Sequence, residues 1–129
     1  MGSGYSFGKA VTMGFDAAIA RVTQELQKEG FGVLTDIDVK ATMKKKLDLD
    51  VAPYRILGAC NPTLAHQAIS AEPEIGALLP CNVVVREDAG KVRVEIMDPK
   101  AVLKLVSNPA VEGLAAEVRA RLDRVLAAL

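Results

Sequence analysis

Two cysteines, each flanked by asparagine and proline, are the residues of this chain best suited to chemistry. Cys60 stands in Gly58-Ala59-Cys60-Asn61-Pro62 and Cys81 in Leu78-Leu79-Pro80-Cys81-Asn82. Asn followed by Pro marks a helix start: the amide oxygen accepts from a first-turn N–H, and Pro fills a position whose own N–H has no helical partner. A first turn also carries unpaired N–H groups and a partial positive charge. A thiol there is pushed toward thiolate, and an anion there finds donors. Asn61 and Asn82 would add amide groups near both sulfurs. The expected candidate site is therefore Cys60, Asn61, Pro62, Cys81 and Asn82, holding a small anionic or carbonyl ligand. The alternative is a thiol-dependent redox or sulfur-handling role for Cys60 and Cys81. Against both stands plain packing, because free cysteines are among the most buried residue types, and Asn61 and Pro62 are fully explained as cap and first helical residue.

Metal binding is limited by counting. Cys60, Cys81 and His66 are the only soft ligands, so one chain can build neither a four-cysteine zinc site nor one of two cysteines and two histidines. A three-ligand site would need His66, about a turn into the helix, to reach back to Cys60. No metal and no cofactor is expected. A Cys60–His66 nucleophilic pair would need hydrogen-bond reach and oxyanion donors, and its spacing matches no hydrolase pattern. Gly30-Phe31-Gly32 has only two glycines and follows a helix, unlike a phosphate-binding loop. Glu72, Glu74, Glu87 and Glu95 lack the spacing of a paired acid and base. Lys44-Lys45-Lys46 reads as a solvated helical face.

The elements that must position the cysteines follow from hydrophobic period. Tyr5 to Met13 predicts a strand. Phe15, Ile19, Val22 and Leu26 then recur at helical spacing, with Glu25 outside the stripe, and Gly30 suits the left-handed position that ends a helix. Phe31, Val33, Thr35, Ile37 and Val39 alternate as one face of a second strand. Lys40 to Leu49 predicts a short helix before Pro53. Tyr54 to Cys60 is nearly all apolar after Arg55, as expected of a strand covered on both faces. Asn61-Pro62 opens a helix carrying Leu64, Ala65, Ala68 and Ile69 inward and ending before Pro73. Cys81 to Glu87 and Lys91 to Met97 form a hairpin around Asp88-Ala89-Gly90. Asp98-Pro99 starts a short helix, and Asn108-Pro109 opens a last one of about twenty residues, roughly 30 Å long.

The order βαβ(α)βαββαα predicts an α+β two-layer sandwich, a mixed but mostly antiparallel sheet with helices packed on one face. Whether the strands bearing Cys60 and Cys81 are antiparallel neighbours, sharing one edge, or parallel, with the thiols at opposite edges, is not decided by periodicity. One domain over residues 1–129 is expected, large enough to need no disulfide or metal for its core.

Composition removes several classes. Sixteen Lys and Arg balance sixteen Asp and Glu, aromatics are 4% and Trp is absent, so no nucleic-acid partner is expected. Half the residues are apolar, unlike a disordered chain. No stretch approaches ~18 uninterrupted apolar residues, so no membrane span is expected. The opening MGSGYSFGKAV lacks the charged and apolar regions of a signal peptide, so a cytoplasmic location is expected, and with it a reducing compartment in which Cys60 and Cys81 form no permanent disulfide. A sheet whose second face also carries Val and Ile predicts a homodimer.

Gly30 to Val39, Tyr54 to Pro62 and Leu78 to Val85 together resemble the domain-of-unknown-function family 302, over roughly Gly14 to Pro99. The resemblance implies a small bacterial or archaeal α+β domain, often a whole protein, with no assigned reaction. Its Cys-Asn-Pro and Pro-Cys-Asn elements are matched at Cys60, Asn61, Pro62, Pro80, Cys81 and Asn82; His66 is not among the matched positions.

Overall fold

The computed structural model describes residues 3–129. Its elements are β1 (Ser6–Val11), α1 (Phe15–Lys28), β2 (Gly32–Asp38), α2 (Val39–Leu47), β3 (Tyr54–Cys60), α3 (Pro62–Ala71), a 3-10 segment (Pro73–Leu78), β4 (Cys81–Asp88), β5 (Lys91–Met97), α4 (Pro99–Val102), a 3-10 turn (Leu103–Leu105) and α5 (Pro109–Ala127). The strands form one sheet in the order β1-β5-β4-β3-β2. All four pairings are antiparallel. The fold is thus the expected α+β sandwich, with an antiparallel sheet where a mixed one was allowed for.

Alternation sorts the strands into two faces. Leu57, Ala59, Val83, Val85, Val94 and Ile96 point to one face and pack under Ala18, Val22 and Leu26 of α1 and Leu122 and Val125 of α5. A second, smaller cluster joins Ala68 of α3, Ile75, Leu103 and Val111 and Ala115 of α5. The three Asx-Pro signals all hold. Asn61 Oδ1 accepts from Leu64 N at 3.2 Å, Asp98 Oδ1 from Lys100 N at 3.0 Å and Asn108 Oδ1 from Ala110 N at 3.0 Å. Gly30 ends α1 at φ 86°, as its position predicted. The β4–β5 loop is two residues, Ala89 and Gly90, both at positive φ, the geometry that matches strand twist in a tight hairpin.

Four expectations change. β2 does not alternate throughout: the register shifts between Val33 and Thr35, so Leu34 is an extra residue. A bulge flips the faces, leaving Val33 toward the core while Thr35 and Ile37 point the other way. Val39, read as the end of that strand, instead begins α2, because Asp38 caps the helix by accepting from Ala41 N at 2.9 Å. β3 is not covered along both faces; only Leu57, Gly58 and Ala59 are buried. Its apolar run reflects one helix-covered face and one face without helical cover at the core. Glu25, placed outside the stripe of α1, is buried. Its carboxylate accepts from Lys28 Nζ at 2.9 Å and Arg21 Nε at 3.0 Å, so two cations of its own helix neutralise it. The Lys28 ammonium, aided by Arg21, holds the Glu25 carboxyl below the usual range against the opposing effect of burial.

Candidate functional site

Antiparallel pairing of β3 with β4 decides where the cysteines go. Ala59 pairs with Cys81 and Gly58 with Asn82, so the last residues of β3 face the first of β4. Cys60 and Cys81 therefore share one end of the sheet and line one cavity of about 310 Å³. The cavity sits where the two core clusters meet. Phe31 and Ala59 border it from the larger cluster; Ala68 and Leu103 border it from the smaller one. One wall is α3, through Leu64 and Ala65; another is α5, through Leu114 and Val118. No charged side chain lines it among the described residues. Its polar contributors are Thr35, Asn61 and the two thiols.

The electrostatics of the thiols run opposite to the sequence expectation. Burial pushes the Cys81 thiol up to about 11, and the nearby Cys60 adds to the effect. Burial also raises Cys60, which is only half-buried. Desolvation disfavours the charged form of a thiol. Both cysteines are free, and burial favours the neutral thiol at each.

Of the other expected site residues, Asn61 is at the cavity and Pro62 and Asn82 are not. Asn61 is buried and spends its oxygen on capping α3. Its amide nitrogen lies so near Gly30 that a Cβ there would stand 2.8 Å from it. Pro62 is exposed at the first turn of α3. Asn82 is exposed, because adjacent strand residues point to opposite faces and Cys81 takes the inward one. His66 is also exposed and does not border the cavity. Among the described residues no group of three or more His, Cys, Asp or Glu is placed to share a metal ion. No described helix is long and apolar enough to cross a membrane.

Sequence reasoning missed the walls. Leu114 and Val118 of α5 and Leu79 before β4 border the cavity and were not among the expected site residues. The unspent signal was the apolar Leu78-Leu79-Pro80 run beside Pro73–Leu78, a 3-10 segment that carries the chain across the end of the sheet.

The family model described as "Domain of unknown function DUF302" matches residues 7–129, further in both directions than the resemblance alone implied. A crystal structure of an uncharacterised conserved DUF302 protein from Bacillus stearothermophilus is 30% identical, with a TM-score of 0.90, covering 96% of this chain and 97% of that one. No curated protein matches the chain.

Proposed function

From the premise that the chain belongs to the DUF302 family, we propose that it is a binding module for a small, uncharged, mainly apolar ligand held in the cavity between α3, α5 and the β3–β4 end. The observation that carries this reading is the cavity's lining: aliphatic and aromatic side chains with two neutral thiols, one amide and one hydroxyl, and no charge. Its volume of about 310 Å³ lies at the lower end of the ~300–1,000 Å³ of small-molecule pockets. The small anion favoured by the motifs alone is a poorer fit, since Asn82 points away and no cationic side chain lines the cavity.

Protonated thiols are soft, polarisable surface that suits hydrocarbon and aromatic groups. Eight to ten buried carbons would contribute roughly 6–8 kcal/mol before the entropic cost of binding, so a simple hydrocarbon should bind in the high-micromolar to millimolar range. Two unpaired cysteines also support a reducing, cytoplasmic setting for this role.

The test is titration with N-phenyl-1-naphthylamine, a neutral apolar fluorophore. Native protein is expected to give a saturable rise in emission, and Ala65→Phe, which fills the cavity from α3, is expected to abolish it. Ala68→Leu is the milder second variant. Unsaturable binding, or unchanged binding in a variant that melts like native protein, would remove the cavity from consideration.

A further inference from the structure

We propose that the ligand is a neutral single-chain amphiphile, an unbranched alkyl chain that enters the cavity tail first and leaves an uncharged polar end at the mouth. This deepens the binding role given above and rests on it. Size sets the length of chain taken in. An apolar cavity of ~150 Å³ accepts a six-carbon ring, so one of about 310 Å³ holds roughly ten carbons. The inner walls offer such a chain no polar anchor. Phe31, Ala59, Ala68 and Leu103 border the cavity and are buried and apolar. Asn61, the buried polar side chain among them, has its oxygen committed to the cap of α3 and its nitrogen set against Gly30. A hydroxyl carried inside would lose its water without gaining a partner.

The mouth is apolar too, but wet. Leu34 of β2 and Ile69 of α3 border the cavity, yet they are 67% and 44% exposed. Leu34 is the extra residue of the β2 bulge, a device that re-aims a side chain at the edge of a sheet. Two large apolar residues from different elements thus converge on one opening, where a lone exposed leucine on an edge strand would be a liability. Carbons beyond about the tenth lie against these two side chains with one flank in water, and a hydroxyl at that level keeps its hydration. No lining side chain is charged among the described residues, so a charged end finds no counter-ion there and a neutral one forgoes nothing.

Displacement of N-phenyl-1-naphthylamine from native protein reads the binding. Each methylene inside the cavity is expected to raise affinity about fourfold, and each one on the rim, covered on one side, about twofold. 1-Dodecanol should therefore bind roughly 50-fold more tightly than 1-octanol. 1,12-Dodecanediol, which has to carry a hydroxyl to the apolar end, should bind about tenfold or more below 1-dodecanol.

Leu34→Ser and Ile69→Ser, at exposed positions, should each weaken 1-dodecanol about three- to tenfold and leave 1-octanol within about twofold. Leu105→Ser, at an apolar residue 78% exposed away from the cavity, should alter neither. A diol that binds as well as the alcohol overturns tail-first entry. Rim variants that weaken both alcohols equally, or neither, overturn the mouth, and alcohols that fail to displace a bound fluorophore overturn the ligand class. In each of these cases the fluorophore still saturates and the cavity remains a binding site. If neither fluorophore nor alcohol binds, the cavity reading falls and the amphiphile with it. Should Ile69→Ser unfold, Leu34→Ser on the edge strand decides alone.

Discussion

Gly58→Ala is expected to destabilise the protein by roughly 2–3 kcal/mol, the cost of forcing extra volume into a packed site. A Cβ at this position would stand 2.2 Å from Thr35 Oγ1 and 2.9 Å from Pro80 Cγ. Gly58 lies buried in the middle of β3, with Thr35 of the bulged edge strand folded directly over it. Thr35 is short and branched at Cβ, so it has few ways to withdraw, and the Pro80 ring has none. Urea unfolding is the direct measurement. Adding Thr35→Ala removes one of the two obstacles, so the double variant should recover part of the loss and show a coupling of about 1 kcal/mol or more. A Gly58→Ala protein within about 0.5 kcal/mol of native would mean that the Thr35 side chain and the Pro80 ring do not close over Gly58 as described.

The second large effect concerns Cys81 and alkali. With its thiol pushed up to about 11 by burial, from an ordinary 9.0, Cys81 holds roughly a hundredfold less thiolate near neutral pH than an unperturbed cysteine. Labelling with a disulfide reagent should therefore find Cys60 reacting first and Cys81 silent until the protein is unfolded or the pH exceeds about 10. The sign for stability follows from linkage. The raised group favours the folded chain while protonated, so its contribution is complete below pH 9, where both states keep the proton. It is lost as pH climbs toward 11, where the unfolded chain has already released it. The loss is on the order of 2–3 kcal/mol. Urea midpoints measured across that range should fall more steeply for native protein than for Cys81→Ala. Parallel curves, or a Cys81 that labels rapidly at pH 7, would contradict the description of its surroundings. A redox or sulfur-transfer enzyme would need at least one thiol lowered toward neutrality, and burial raises both.

Much of the architecture is readable from residue order. Each Asx-Pro pair marks a helix start, Gly30 a helix end, and the alternation of Val83, Val85, Val92, Val94 and Ile96 a hairpin with one buried face. What periodicity could not say was the direction in which β4 runs beside β3. That depended on how α3 and the following 3-10 segment return the chain, a tertiary matter. The bulge at Leu34 left no local mark, because Val33, Leu34 and Ile37 are equally good strand formers in either register. Glu25 was misplaced because a carboxylate is counted as polar in any helical stripe, whereas Lys28 and Arg21 make this one burial-tolerant. Within the site, the sulfurs were found from sequence and their chemistry was not. Proximity to a helix start is visible in Cys60-Asn61-Pro62. The apolar walls around the thiols come from Phe31, Leu103, Leu114 and Val118, residues remote in the chain.

The strand order has a bearing on synthesis. β1 is an edge strand whose only neighbour is β5, and Ser6 pairs with Met97. A chain emerging from the ribosome can close the β2–β3–β4 meander early, but its first strand stays unpaired until the fifth has been translated. α5, which roofs both core clusters, arrives later still. Until then the amino-terminal segment offers two bare hydrogen-bonding edges to whatever else is in the cell. Its glycine-interrupted SFGKAV run, with Lys9 at its centre, is a weak template for such unwanted pairing.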